Sequence, residues 1–162
     1  MSGTVVSINV NSEGGVPKLP VRSAILQKEG VQGDKQNDLR HHGGPDRAVS
    51  IYSIEMIELL VEEGHPISQG STGENITIRG LDWRLVKSGV VLKMGDACVE
   101  ITSPAAPCAT IKKSFLNENF SRISENVNPG FSRWYGRVLT EAEVEVGDEV
   151  LVLNSQHHNS PS

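Results

Sequence analysis

The chain has 162 residues, of which 37% are hydrophobic and 22% are charged, as is typical of one globular domain. Its formal net charge of −5 argues against nucleic acid as a partner, because a phosphate backbone needs a clustered basic surface. Residues 1–4 show no secretory signal, no apolar run approaches the roughly 20 residues of a membrane span, and two cysteines are too few for a disulfide framework, so we expect a cytoplasmic protein with free thiols and no membrane partner.

Short runs of β-branched and other apolar residues recur along the chain and predict strands. Those in the first half cover residues 5–10, 21–26, 49–52 and 75–79. Residues 91–101 and 144–153 each have the pattern of strand, tight turn and strand around a Gly-Asp pair, and residues 134–139 form a further strand. Many short strands joined by such turns predict a mainly β protein, either a barrel or a sandwich.

Two segments with apolar residues at helical spacing interrupt the strands. Ser53 is a suitable N-cap for the first helix, and Gly64 marks its end. The second helix is predicted over residues 109–124, and both should pack on the outside of the β structure. Residues 154–162 are polar and are predicted to be a disordered tail, which leaves residues 1–153 as a single domain.

The octet at residues 42–49 is the most informative stretch of the chain. A loop that only reverses direction would not need Asp46 and Arg47 directly after Gly43, Gly44 and a proline. Glycine lets a backbone approach a ligand closely, and a polar loop on a rigid scaffold is typical of a binding site. The alternative is a structural turn with a local Asp46–Arg47 pair.

Two neighbouring features have weaker chemical signals. Asp34, Asp38 and His42 are spaced four apart, which would place three metal ligands on one helix face, but the segment has the composition of a loop. The glycine-rich turn at residues 70–75 could bind an anion through its backbone N–H groups, although it is not a P-loop.

Cys108 is the candidate reactive thiol. It follows Pro107 and immediately precedes the second predicted helix, where the helix dipole and free N–H groups would lower the pKa of the thiol. Lys112 and Lys113, one turn further on, could assist. The alternative is a small buried apolar residue, and that packing role is the one we expect for Cys98 within its strand.

Five motifs, in this order and rough spacing, resemble those of the MOSC domain. This is the C-terminal domain of molybdenum-cofactor sulfurase, which also occurs as small stand-alone bacterial proteins, and the chain is most similar to the stand-alone type. The resemblance covers about residues 3–153. The motifs are Val31-Gln32-Gly33-Asp34, His42-Gly43-Gly44-Pro45-Asp46-Arg47-Ala48-Val49, Gly73-Glu74-Asn75-Ile76, Gly95-Asp96 and Pro107-Cys108.

The resemblance implies a β-barrel with a few peripheral α-helices and a site for the molybdenum cofactor, an anionic pterin (molybdopterin). Cys108 would then either ligate molybdenum in a reductase of N-hydroxylated or N-oxygenated compounds, or carry sulfur as a persulfide. Pyridoxal phosphate binding is a further family-level expectation. The implied cofactor-binding residues are Asp34, His42, Gly43, Gly44, Asp46, Arg47, Gly73, Glu74 and Asn75.

One position departs from the family pattern. Relatives often have an arginine shortly before the Pro-Cys pair, whereas this chain has Ala105 and Ala106, which removes a guanidinium that could bind phosphate. The chain has no recognisable flavin, haem or iron–sulfur motif, so a reductase would need an external electron donor protein, and a carrier would need a sulfur donor. The alternative function is a non-catalytic module that carries a cofactor or an anion, and fold alone does not decide between them.

Overall fold

A computed structural model of the protein describes residues 2–35 and 44–153. The eleven strands of these residues are β1 Ser2–Val10, β2 Leu19–Val21, β3 Ser23–Gln27, β4 Gly30–Val31, β5 Val49–Ser53, β6 Ile76–Arg79, β7 Val91–Met94, β8 Ala97–Ala105, β9 Arg133–Thr140, β10 Ala142–Glu145 and β11 Glu149–Leu153. The α-helix in this part of the chain is α1, Ile54–Glu62. Short 3₁₀ helices cover Pro45–Arg47, Trp83–Leu85, Ala109–Ser114, Leu116–Glu118 and Phe120–Ile123.

Seven strands close into a barrel, which confirms the predicted fold class. Their order is β1, β11, β7, β8, β9, β5 and β6, and β6 then pairs with β1. The neighbours are antiparallel except for β5 and β6, which are parallel. Strand β2 extends the sheet beside β1, and β10, β3 and β4 form a small second sheet. Closure leaves the seven strands without an open edge.

Alternation along each strand directs one set of side chains into the core. On β8, Ala97, Val99 and Ile101 are buried, while the residues between them are partly exposed. Cys98, which the sequence predicts as a packing residue, is therefore half-buried on the face opposite to these core side chains, across from Lys93 of β7.

Helix α1 is confirmed as the first predicted helix. The Ser53 Oγ accepts a hydrogen bond from the Met56 N–H at 3.2 Å, so Ser53 is its N-cap. Ile54, Ile57 and Leu60 are buried on one side. No helix in residues 2–35 and 44–153 is long and apolar enough to cross a membrane.

The second predicted helix is wrong, because residues 109–123 form three consecutive 3₁₀ helices. Phe115, between the first two, has extended backbone (φ −129°, ψ 146°), and Asn117 is left-handed (φ 54°). The Leu116 N–H donates to His65 Nδ1 at 3.0 Å instead of continuing a helical ladder. Phe115 is buried and stacks on the His65 ring, with centroids 5.5 Å apart. Tertiary contacts with His65 thus override the helical spacing of the apolar residues.

Several residues named above lie outside the described part of the chain. They are Asp38, His42, Gly43 and the tail at residues 154–162.

Gly136 is a position on β9 where a side chain would meet the core. A Cβ atom there would clash with Val99 Cγ1 and would lie 3.3 Å from the Glu100 carbonyl oxygen. We expect Gly136→Ala to lower the free energy of unfolding by about 1–3 kcal/mol, because the core must move to admit the methyl group. Urea denaturation measures this. Leu139→Ala, a half-exposed site on the same strand, is the control and should change stability by less than about 0.5 kcal/mol. Equal stability of Gly136→Ala and the wild type would contradict the packing described here.

Candidate functional site

The site is built on the face of β5 and β9 that points away from the barrel core. Ser50 of β5 lies directly opposite Tyr135 of β9. Arg133 shares the face of Tyr135, because side chains two residues apart on a strand point the same way. A Cβ on Gly136, between strand positions on the other face, would point at the core residues Val99 and Val49.

Three segments that are distant in sequence meet over this face. The Arg47 guanidinium carbon lies 5.4 Å from the centre of the Tyr135 ring. Ser50 Oγ donates to the Gly73 carbonyl at 3.1 Å, which holds the turn at residues 70–75 against β5. The 3₁₀ helix Ala109–Ser114, which Cys108 precedes, contacts the same turn through a Ser114 Oγ–Ser71 Oγ hydrogen bond of 2.9 Å. The predicted elements at Arg47, Gly73 and Cys108 thus lie around one strand face.

Arg133 connects two of these segments. Its Nη1 donates to the Thr72 carbonyl, and its Nη2 donates to the Ala105 carbonyl at 3.2 Å. Only 7% of Arg133 is exposed to solvent. A guanidinium from β9 therefore lies beside Ala105, the place where the resemblance leads one to expect an arginine from the local sequence. The sequence analysis missed Arg133 because the predicted strand started at residue 134, one residue later. The available signal was a charged residue two positions before Tyr135, since side chains at that spacing share one face of a strand.

The pKa of the Tyr135 phenol depends on burial and on the charged groups near it. Burial raises the pKa of its phenol, the positive charges of Arg133 and Arg47 oppose that rise, and negative charge on Cys108 adds to it. Both guanidinium groups and the thiol are therefore within electrostatic range of one phenol. Two guanidinium groups and a thiol thus lie around one strand face of an otherwise acidic protein.

Cys108 is half-buried, and its Sγ lies 2.9 Å from Thr110 Oγ1. It is the N-cap of a helix of six residues with 3₁₀ geometry, so the helix dipole expected at this position is much smaller than that of the predicted helix over residues 109–124. Lys112 and Lys113 are exposed. The strand face near the Cys108 segment carries Arg133, which binds the Ala105 carbonyl, and Arg47, which lies over the Tyr135 ring.

Three of the residues implied by the resemblance have side chains that are used within the protein. Asn75 Nδ2 donates to the Asn9 carbonyl at 3.1 Å and to Asp34 Oδ2 at 2.9 Å, while its Oδ1 accepts from the Ser50 N–H. Asp34 also forms a buried ion pair with Lys18 at 2.6 Å. These side chains position the turn at the site, and direct contact with a ligand is not needed to explain them.

Glu74 has the same kind of structural role. It is fully buried, its Oε2 accepts from the Gly70 N–H at 2.8 Å, and its Oε1 accepts from the Thr72 hydroxyl at 2.6 Å. Gly73, between Thr72 and Glu74, has a φ of 84°, which strongly favours glycine. The turn is therefore rigid and presents backbone rather than carboxylate groups.

The loop at Pro45–Arg47 borders a groove of about 430 Å³. The Asp46 carboxylate binds Arg137, with an Oδ1–Nη2 distance of 2.6 Å, and Arg137 also reaches Glu100 at 3.3 Å. Asp46 is thus the partner of a residue on β9, whereas the structural alternative for this loop paired it with its neighbour Arg47. Gly44, which precedes the loop, has a φ of 90°.

A metal site built from Asp34 is not supported by the described residues. Among them there is no group of three or more His, Cys, Asp or Glu side chains that could hold a metal ion. Asp34 is already bound to Lys18, and the other two residues of that hypothesis, Asp38 and His42, lie outside the described residues.

The fold and the site define a class of protein: a closed β-barrel with a half-buried cysteine near a strand face that carries two guanidinium groups. The sequence matches the MOSC domain over residues 38–151, and the chain belongs to the MOSC domain family. This confirms the resemblance found in its motifs.

Two curated proteins give the sequence comparison. The chain is 35% identical over 145 residues to protein YflK of Bacillus subtilis (strain 168), covering 88% of this chain and 64% of YflK. It is 24% identical over 148 residues to protein YiiM of Escherichia coli (strain K12), covering 88% of this chain and 65% of YiiM. The chain thus spans slightly less than two thirds of the length of these relatives.

Solved structures share the fold. The crystal structure of YiiM from Geobacillus stearothermophilus matches with a TM-score of 0.72 and 28% identity, over 94% of this chain and 75% of that one. The YUAD protein from Bacillus subtilis matches with a TM-score of 0.73 and 18% identity, over 93% and 94% of the two chains. At that identity, the second match supports the fold alone.

The two tyrosines of the protein should ionise late. Burial is the main cause that raises the pKa of both Tyr52 and Tyr135 above the ordinary value of about 10. Since the unfolded phenols lose their protons first, the free energy of unfolding should be unaffected below about pH 10 and should fall above it. Near-ultraviolet titration of phenolate absorbance, with Tyr135→Phe to assign the two residues, tests this. Ionisation of either native tyrosine at its ordinary pKa would contradict the burial described.

Asn75 should behave as a structural residue. We expect Asn75→Ala to lower the free energy of unfolding by several kcal/mol, because each buried donor or acceptor left unpaired costs about 1–3 kcal/mol. The exposed Asn119→Ala is the matched control and should change stability by less than about 0.5 kcal/mol. A stable Asn75→Ala variant would mean that the hydrogen bonds to Asn9, Asp34 and Ser50 do not hold the turn in place.

Proposed function

We propose that this protein binds a molybdenum-containing pterin at the strand face of Ser50 and Tyr135, with the Cys108 thiolate as the protein ligand to molybdenum. One observation carries the proposal: three segments distant in sequence meet over this face, with Arg47 at 5.4 Å from the centre of the Tyr135 ring, Arg133 bound to the Ala105 carbonyl shortly before Cys108, and the 3₁₀ helix after Cys108 bound to the turn at residues 70–75. Membership of the MOSC domain family supports it, because that family is associated with this cofactor.

The residues present fit such a group. A pterin cofactor with a phosphate is an anion, and guanidinium groups bind phosphate oxygens through charge-assisted hydrogen bonds. Thiolate is a suitable ligand for a soft or nearly soft metal. The Nε of Arg133 is buried and has no hydrogen-bond partner, so the site retains unused capacity for a negative ligand. When bound, the cofactor would supply two-electron redox chemistry, while the protein positions it and tunes it.

Each residue then has a role that follows from its place. Cys108 would hold the metal, and Arg47, stacked on Tyr135, would hold negative charge at the mouth of the site. Tyr135 would line the site as an uncharged phenol, because a phenol is protonated at neutral pH and burial raises the pKa of this one further. The turn around Gly73, fixed by Glu74, Asn75 and Asp34, would offer its backbone to the cofactor.

The reaction we propose is the reduction of an N-hydroxylated or N-oxygenated compound. Reduction of an N-hydroxyl group consumes two electrons and two protons and releases water, so an external electron donor protein is part of the proposal. Persulfide transfer by Cys108 and non-catalytic anion carriage are the competing outcomes. A cytoplasmic location also stays a prediction.

Metal analysis of protein purified from a cofactor-competent host tests the proposal. We expect stoichiometric molybdenum in the wild type and none in Cys108→Ser, because a hydroxyl keeps the volume but is a poor soft ligand. Cys98→Ser is the matched control and should retain molybdenum, since Cys98 lies on β8 outside the site.

The same experiment identifies the alternatives. A wild-type Cys108 that is heavier by one sulfur, with no molybdenum, would replace the proposal with the persulfide carrier. Arg47→Ala should lose cofactor while keeping its melting temperature; a lower melting temperature with unchanged molybdenum would make Arg47 structural. Full reductase activity in Cys108→Ser would refute a thiol-based site.

A further inference from the structure

We infer that Arg133 is a specificity-determining residue of this site, and that its buried positive charge selects a phosphate-bearing anion next to Cys108. The identity of the ligand as a pterin rests on the proposed function, whereas the anion site itself rests on the surroundings of Arg133.

The first step is the cost of burying this guanidinium. A buried charge is unfavourable unless it is paired, and a native protein normally pairs it with a carboxylate. Arg133 is 7% exposed, and in residues 2–35 and 44–153 no carboxylate lies within 4.0 Å of it. Its hydrogen bonds go to the neutral carbonyls of Thr72 and Ala105, so it keeps a positive charge that no adjacent residue of this part neutralises.

The second step concerns the nearby buried acid, Glu74. Its two carboxylate oxygens accept hydrogen bonds from the Gly70 N–H and the Thr72 hydroxyl. Thr72 thus stands between the two charges, with its hydroxyl bound to Glu74 and its carbonyl bound to Arg133. Glu74 is committed to the turn, and Arg133 faces the Cys108 segment.

The third step is the unused donor. A guanidinium has five N–H groups, and the Nε of Arg133 is buried with no hydrogen-bond partner. Unpartnered polar atoms of this kind are few in native proteins and are often part of a functional site. An oxyanion bound beside Cys108 would supply a hydrogen-bond acceptor for this donor and a counter-charge in direct contact with the guanidinium.

The ligand class follows from geometry and charge. The planar fork of arginine matches the oxygens of phosphate and pyrophosphate better than it matches a monatomic anion. Arg47 lies across the Tyr135 ring from the same region, so an anion with more than one negative charge would interact with both guanidinium groups.

The test uses protein without cofactor, from a host that cannot make it, with pyrophosphate as the probe. In the wild type, pyrophosphate should bind by calorimetry and should slow the alkylation of Cys108 by iodoacetamide, while Cys98 is the internal control and reacts as before. Arg133→Gln removes the charge but keeps a hydrogen-bonding side chain, and its affinity should fall about tenfold or more, since hydrogen bonds to charged groups contribute about 1.5–3 kcal/mol.

Two further variants separate charge from structure. Arg133→Lys keeps the positive charge and should bind pyrophosphate at least about fivefold more tightly than Arg133→Gln, because charge rather than the fork alone is expected to attract the anion. Arg84→Gln makes the same change in net charge at an exposed residue paired with Asp82 and should bind like the wild type.

Several results would overturn the inference. They are wild-type affinity in a folded Arg133→Gln variant, equal loss in Arg84→Gln, or no protection of wild-type Cys108 by pyrophosphate. If Arg133→Gln does not fold, the protection of Cys108 and the affinity of Arg133→Lys decide. The proposed function fails separately: wild-type protein without molybdenum but with Arg133-dependent pyrophosphate binding would remove the cofactor and leave the anion site.

Discussion

The parallel pairing of β5 with β6 is the constraint on which the candidate site depends. Parallel neighbours cannot be joined by a hairpin, so the chain must cross back after β5, and α1 is part of that crossover. The turn that enters β6 consequently lies against the first residues of β5, where Ser50 binds both Gly73 and Asn75. Cys108, which follows β8 two strands away from β5, reaches this turn because its segment crosses β9 and meets Ser71.

The polar groups next to the turn at residues 70–75 form a continuous series of ion-pair and hydrogen-bond contacts. Lys18 neutralises Asp34, Asp34 binds Asn75, and Asn75 binds the backbone of β1 and β5. Buried polar groups of this kind are costly when partly satisfied and rigid when fully satisfied. The turn at residues 70–75 is therefore held in place by hydrogen bonds from side chains rather than by strand pairing. Its backbone groups remain available on the side that faces the candidate site.

The sequence predicts a β-barrel, but it does not show which strands pair to close it. The alternation of Val99 and Ile101 with polar residues, and the Gly-Asp turns at residues 95–96 and 147–148, predict hairpins because these are local patterns. The second helix failed for a non-local reason, since His65, far upstream, takes the N–H of Leu116. The prediction of Cys108 as the reactive position relied on a long helix at residues 109–124, which the structure replaces with 3₁₀ turns, so the reactivity of this thiol stays a prediction.

The site residues also divide into those that a local sequence motif reveals and those that only distant contacts reveal. Gly73, Arg47 and Cys108 stand in motifs that the sequence displays, whereas Arg133 does not, because its importance comes from Thr72 and Ala105, which are 61 and 28 positions away. Thr77 Oγ1 and Arg133 Nε are the buried side-chain atoms of the described residues without a hydrogen-bond partner. The first is a neutral hydroxyl, in a residue that lies opposite Ser7 of β1, and the second belongs to a charged group. A buried charged group with an unpartnered donor at a well-supported position calls for a physical explanation, and a bound anion is the explanation that the Arg133 variants test.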